Sequence, residues 1–246
     1  MRGATGRVAV AARTGTGVVG MKTHLATGLI ALVGGFAGAA LWSFSGLGNA
    51  QTRDYLVANP DILPKMADAW QAEQSREQLA QVADAVREPF PGAVLGNPEG
   101  TRTLVKFTDY ACGYCRISVA DVDRLIEENP DVRVVIREFP IFEGSEVPAR
   151  MALAAAKQGK YRAFHHAMFE LGSPTAENVM LAAQRAGLDL DAAREYGASD
   201  EVTAELARTQ ELARSLGFSG TPSWVAGDNV FEGAVGFDRL ASALGS

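Results

Sequence analysis

Cys112-Gly113-Tyr114-Cys115 holds both cysteines of the chain, directly after the stretch Leu104-Val105-Lys106-Phe107. Any disulfide chemistry therefore runs through this one pair. A C-x-x-C that closes a strand and opens a helix makes a thiolate reactive, because the helix N-terminus offers unpaired N–H groups and partial positive charge to the ionised sulfur. In that seat Cys112 is the exposed residue at the N-cap. As a thiolate it attacks a substrate disulfide; as half of a disulfide it is attacked. Cys115, one turn in, lies buried beneath it and resolves the mixed disulfide. Between them Gly113 adds no steric shield, and the Tyr114 ring can lie over the helix start. A zinc half-site is an alternative, but zinc takes four ligands and only His24, His165 and His166 remain to join the pair. We expect no metal and no cofactor. Two thiolates do suffice for linear Cu(I), which leaves a copper-binding envelope protein as the second reading.

Two further features bear on the pair. In Gly220-Thr221-Pro222-Ser223-Trp224 a proline opens a strand. X-Pro is the one bond that readily goes cis, and a proline there cannot pair within the sheet. Facing the cysteines, it leaves the Thr221 backbone free to pair with an extended substrate peptide. Asp109, three residues before Cys112, is either a turn residue or a carboxylate that relays protons to Cys115. His165 and His166, with Tyr161, Phe164, Met168 and Phe169, read as an aromatic helix face in a core.

The elements that must hold these groups are legible in pattern. A short edge strand is expected at 93–95, a strand at 103–108, a helix at 113–128 with Ile117, Val122, Leu125 and Ile126 inward, and a buried strand at 132–139. This is a βαβ unit with parallel strands. Residues 145–158, 160–171, 175–186, 189–196 and 200–216 read as helices closed by Gly159, Gly172, Gly187 and Gly197. Strand character returns at 223–226, turns through Gly227-Asp228-Asn229 into 230–231, and a helix closes the chain at 236–244. The expected class is α/β, with 91–144 and 217–246 as one domain and 145–216 as an all-helical insert. Before it, 51–90 reads as a helical stalk broken at Asn59-Pro60, with Met66 and Trp70 on one face and Leu79, Val82 and Val86 following. Packing on its own domain and homo-oligomerisation are its two alternatives.

These residues together resemble the DsbA-type thiol–disulfide oxidoreductases. The resemblance rests on 107–115, on Arg137-Glu138-Phe139-Pro140, on the insert and on Gly220-Thr221-Pro222-Ser223, and covers roughly 93–244. It implies a thioredoxin fold carrying a helical domain, with Cys112 attacking, Cys115 resolving and Pro222 as the cis-proline. Asn59-Pro60-Asp61-Ile62-Leu63-Pro64 in the stalk is similar to the suppressor-of-copper-sensitivity protein C branch, some of whose members are trimeric isomerases. Gly-Tyr stands where the best-known oxidases have Pro-His, so no histidine tunes the thiolate here. Oxidase and isomerase/reductase both remain open. The implied partners are unfolded or misoxidised exported proteins, and a membrane redox protein that resets the pair.

Charge and hydropathy place the chain. Its 246 residues allow one domain with a sizeable core and an appendage. The first fifty residues have no Asp or Glu, and their only formal charges are Arg2, Arg7, Arg13 and Lys22. Removing those four from 23 Lys and Arg leaves 19 against 29 acidic residues, a net charge of −10 for the remainder. Such a body lacks the basic clusters that nucleic-acid binding needs. Residues 25–42 carry no charge and follow Lys22, and Gly48-Asn49-Ala50 offers small residues for a signal peptidase. Residues 1–50 are thus expected to be an export signal or a membrane anchor, and the body periplasmic, whether free or held by 25–42. Met21 is a natural start, with 1–20 as an extension.

Overall fold

The computed structural model describes residues 17–44 and 47–245. The extension expected at 1–20 lies largely outside the described residues. Two units divide near Met66 and Ala67. The first holds α1 (Gly17–Phe44), α2 (Leu47–Ala58) and the first residues of α3 (Ile62–Arg87). Asn59-Pro60 separates α2 from α3, as a proline that cannot continue a helix should. From 27 to 42 the described side chains of α1 are exposed, Leu29, Ile30, Val33 and Phe36 among them. Among the described residues no helix is long and apolar enough to cross a membrane.

The second unit is built on a five-stranded sheet, in the order β1 (Val94–Gly96), β3 (Val132–Glu138), β2 (Arg102–Thr108), β4 (Ser223–Ala226), β5 (Asn229–Glu232). Strands β2 and β3 run parallel, from Arg102 beside Val132 to Thr108 beside Glu138. The other pairings are antiparallel. The parallel pair needs a crossover, supplied by α4 (Gly113–Glu128). The insert follows as α5 (Glu146–Lys157), α6 (Tyr161–Leu171), α7 (Ala176–Arg185), α8 (Leu190–Gly197) and α9 (Asp200–Ser215), and α10 (Phe237–Gly245) ends the chain.

Both sheet faces are covered, which is why β2 and β3 lack simple alternation. Leu104, Val134, Ile136 and Trp224 face a core shared with α4, α10 and the insert. Val105, Phe107, Val135 and Val225 face a second core, closed by Leu79 and Val86 of α3 and by Leu212, Leu216 and Phe218. The stalk is therefore not uniform: Met66 and Trp70 are exposed, while the last turns of α3 belong to the core. Arg137 holds that end in place. From a fully buried position on β3 it donates to the carbonyls of Ala85, Val86 and Glu88, which a helix end leaves unpaired, and to Glu205 of α9 at 2.7 Å.

Two expectations need correction. Ile117 is 61 % exposed rather than inward, because the buried stripe of α4 is Cys115, Ser118, Val122 and Leu125. Gly197 closes no helix as a cap: it is the last residue of α8, and a Cβ there would lie 3.4 Å from the Arg150 carbonyl oxygen. Gly159, Gly172 and Gly187 do end their helices at positive φ.

Candidate active site

Cys112 is the N-cap of α4, with extended backbone, and its sulfur accepts from the Cys115 N–H at 3.4 Å. Its thiol donates to the Thr221 carbonyl oxygen at 3.1 Å, and the Thr221–Pro222 bond is cis. The strands explain this meeting. Antiparallel pairing of β2 with β4 sets Phe107 beside Ser223, so the end of β2 and the start of β4 lie at one edge of the sheet. Both cysteines are free thiols. Cys115 is buried as expected, but Cys112 is only 5 % exposed: the Thr221 loop covers a sulfur expected to stand open. Exposure lies beside it, at Gly113, Tyr114 and Ile117. A Cβ at Gly113 would meet nothing nearer than the Arg116 guanidinium at 4.0 Å, so this position does not screen the pair.

Beneath Cys115 lies a polar nest that sequence reasoning missed. Lys106, on β2, is fully buried and donates to the Cys115 carbonyl at 3.4 Å, with its ammonium over the Phe169 and Trp224 rings. Glu138, on β3, accepts from Tyr161 at 2.6 Å and Tyr110 at 3.1 Å through one oxygen. His165 sits against the same phenols, 3.1 Å from the Tyr110 hydroxyl. Burial dominates every titration here. It pushes the Cys115 thiol up to about 11, opposed chiefly by the Lys106 charge. It pushes Lys106 down to about 8 and Glu138 up to about 8. His165 is driven well below its ordinary value, so it stays neutral. The available signal was a charge in a strand buried on both faces, at Lys106 and again at Glu138.

Of the two readings expected for Asp109, its contacts fit the turn residue. One carboxylate oxygen accepts from the Ala111 N–H at 2.7 Å. The other accepts from Ile141 N–H at 2.7 Å, Phe142 N–H at 3.1 Å and the Ser145 hydroxyl at 2.7 Å. The carboxylate thus ties the loop after β3 to the loop after β2. What reaches Cys115 from this residue is a backbone hydrogen bond favouring the thiolate. His165 is the core residue expected, and His166 faces Asp123 of α4 at 3.4 Å.

Residues 103–245, more than half of the chain, match the family model described as a DSBA-like thioredoxin domain. A thioredoxin-like oxidoreductase from Silicibacter pomeroyi is 45 % identical, with a TM-score of 0.60 over 62 % of this chain and 89 % of that one. Proteus mirabilis ScsC, in a transitional conformation, is 28 % identical with a TM-score of 0.62, covering 80 % of this chain and 91 % of its own. A Na(+)/H(+) antiporter of Salinispora tropica is 27 % identical over 161 residues, 64 % of this chain. The chain spans about a quarter of the length of the curated relatives it matches.

Proposed function

We propose that this chain, which belongs to the DSBA-like thioredoxin-domain family, catalyses thiol–disulfide exchange through Cys112 and Cys115. The observation that carries this reading is the Cys112 sulfur, at a helix N-terminus, 3.1 Å from the Thr221 carbonyl. The helix end offers its free N–H groups to the sulfur, and the Thr221 loop supplies a backbone edge for an extended peptide.

In the reducing direction the Cys112 thiolate attacks one sulfur of a substrate disulfide, and the other leaves as a thiolate. Cys115, deprotonated, then attacks the Cys112 sulfur: the Cys112–Cys115 bond forms, the bond to substrate breaks, and the second substrate sulfur leaves as a thiolate. Two electrons pass to the substrate, which takes up two protons. The oxidising direction is the reverse, with Cys115 as the leaving thiolate. Lys106 supplies the positive charge that offsets burial of that thiolate. Gly113 and Tyr114 set access to the pair, while Asp109 holds the adjoining loops. The substrates in this reading are unfolded or misoxidised exported proteins in the periplasm, and a membrane redox partner resets the pair. The N-terminal segment, basic and then uncharged, supports export, and the likeness to ScsC supports an exchange role.

The test is insulin reduction and refolding of scrambled ribonuclease by the whole chain. Cys112→Ser should abolish both, and Cys115→Ser should trap mixed disulfides. Equal activity in wild type and Cys112→Ser would end the enzyme reading.

A further inference from the structure

Two hydroxyls at this site have no hydrogen-bond partner among the described residues, although both are buried: Thr108 Oγ1 and Thr221 Oγ1. Thr108 is 0 % exposed and Thr221 9 %. A buried hydroxyl without a partner is unfavourable, and native structures keep few of them. Their positions coincide. Thr108 ends β2 and by alternation shares the face of Leu104 and Lys106, whose ammonium already reaches the Cys115 carbonyl. Thr221 is the residue whose carbonyl accepts the Cys112 thiol on the neighbouring strand's approach. The two donors therefore come to the cysteine pair from β2 and from the loop before β4.

We infer that the Thr108 hydroxyl is a donor reserved for the Cys115 thiolate, with the Thr221 hydroxyl as its counterpart. A neutral thiol is a weak acceptor and leaves both hydroxyls idle, whereas a thiolate is a full one, and a hydroxyl rotates to suit its acceptor. Both hydroxyls favour the ionised form of Cys115. The other groups that act on that sulfur are Lys106 from β2 and the Asp109 backbone, with Glu138 of β3 and Asp123 of α4 acting on Lys106 in turn. The inference rests on the exchange reading above and deepens it. Cys115 carries its charge at one step only, when its bond to Cys112 forms or breaks. Donors idle in the dithiol and engaged at that step lower its barrier in both directions.

Glutathione disulfide is the probe. With the reduced chain, Cys112 thiolate forms the Cys112–glutathione disulfide and releases one glutathione; Cys115 then closes the internal disulfide and releases the second. Acid quench and mass measurement separate the two steps. Thr108→Val, which keeps the shape and removes the hydroxyl, should leave formation unchanged and lengthen the life of the mixed disulfide about tenfold. The pH profile of resolution should move up by about one pH unit. Thr108→Ser should behave as wild type. Resolution at the wild-type rate in Thr108→Val overturns the inference, as does equal slowing in Thr108→Val and Thr108→Ser, which would mark a packing role. Should Thr108→Val lack the native circular dichroism, Thr221→Val is measured in the same way, and an unaltered resolution rate there overturns the inference. Cys112→Ser reacting with the probe as fast as wild type would instead sink the exchange reading itself.

Discussion

Replacing Glu138 by glutamine should make the protein's stability less dependent on pH, and the sign follows from burial. Glu138 titrates near 4.5 when solvated and is pushed up to about 8 in the fold, chiefly by desolvation. A carboxyl raised in the folded state holds its proton where the unfolded chain has lost it. Its burial costs nothing below 4.5, costs progressively more as pH rises to about 8, and is constant above. Through that window the slope is about 1.4 kcal/mol per pH unit, or about 3 kcal/mol between pH 5 and 7. The amide introduced by Glu138→Gln would keep the acceptor oxygen that serves Tyr110 and Tyr161, and the second carboxyl oxygen has no partner to lose. The difference between the chains should therefore grow by about 3 kcal/mol over those two pH units, in favour of the variant. Other titrating groups are common to both chains and cancel. Urea unfolding at pH 5, 6 and 7, followed by Trp224 fluorescence with exposed Trp42 and Trp70 changed to Phe, measures it. A difference that stays flat from pH 5 to 7 refutes the reasoning.

Lys106→Met should slow disulfide turnover roughly tenfold at pH 7, since removing the main charge opposing burial raises the Cys115 pKa further. Because Lys106 titrates near 8, the gap should narrow as pH rises through 8 to 9.5; an equal ratio at pH 7 and 9.5 would show that its charge is not what matters. Arg137→Ala should cost about 3–5 kcal/mol in the same urea assay, by stranding Glu205 and the carbonyls at the end of α3. A loss comparable to that of an exposed side chain would mean that α3 is not anchored there.

Much of the fold was legible because its signals are local. The strand before Cys112, the glycines ending α5, α6 and α7, and Pro222 after the insert each carry their own reason for being there. The polar nest was not. Lys106 sits within an apolar run and Glu138 within a strand end, and nothing in either segment says that they meet Tyr161 and His165 from 23 to 59 positions further along the chain. Their meeting depends on register, which sets Lys106 beside Ile136 and Thr108 beside Glu138, and on how α6 docks on the sheet. Cys112's cover by Thr221 and Ile117's exposure are likewise matters of packing direction, which helical spacing does not convey. For Asp109 the sequence offered a turn residue and a proton relay without deciding between them, and its four donors, three of them beyond β3, fit the first.

The helical insert has a consequence that reaches the sulfur without touching it. Tyr161, His165 and Phe169 all stand on α6, and together with Tyr110 and the β4 residue Trp224 they cover Lys106 and Glu138. The insert is in effect the electrical insulation of the redox pair. An exchange of one aromatic for a smaller polar residue on α6 would admit water, relax both buried charges towards ordinary titration, and retune Cys115 from a helix some fifty residues away in sequence. The titration of Cys115 can thus drift on α6 while the exposed surface at Tyr114 stays as it is.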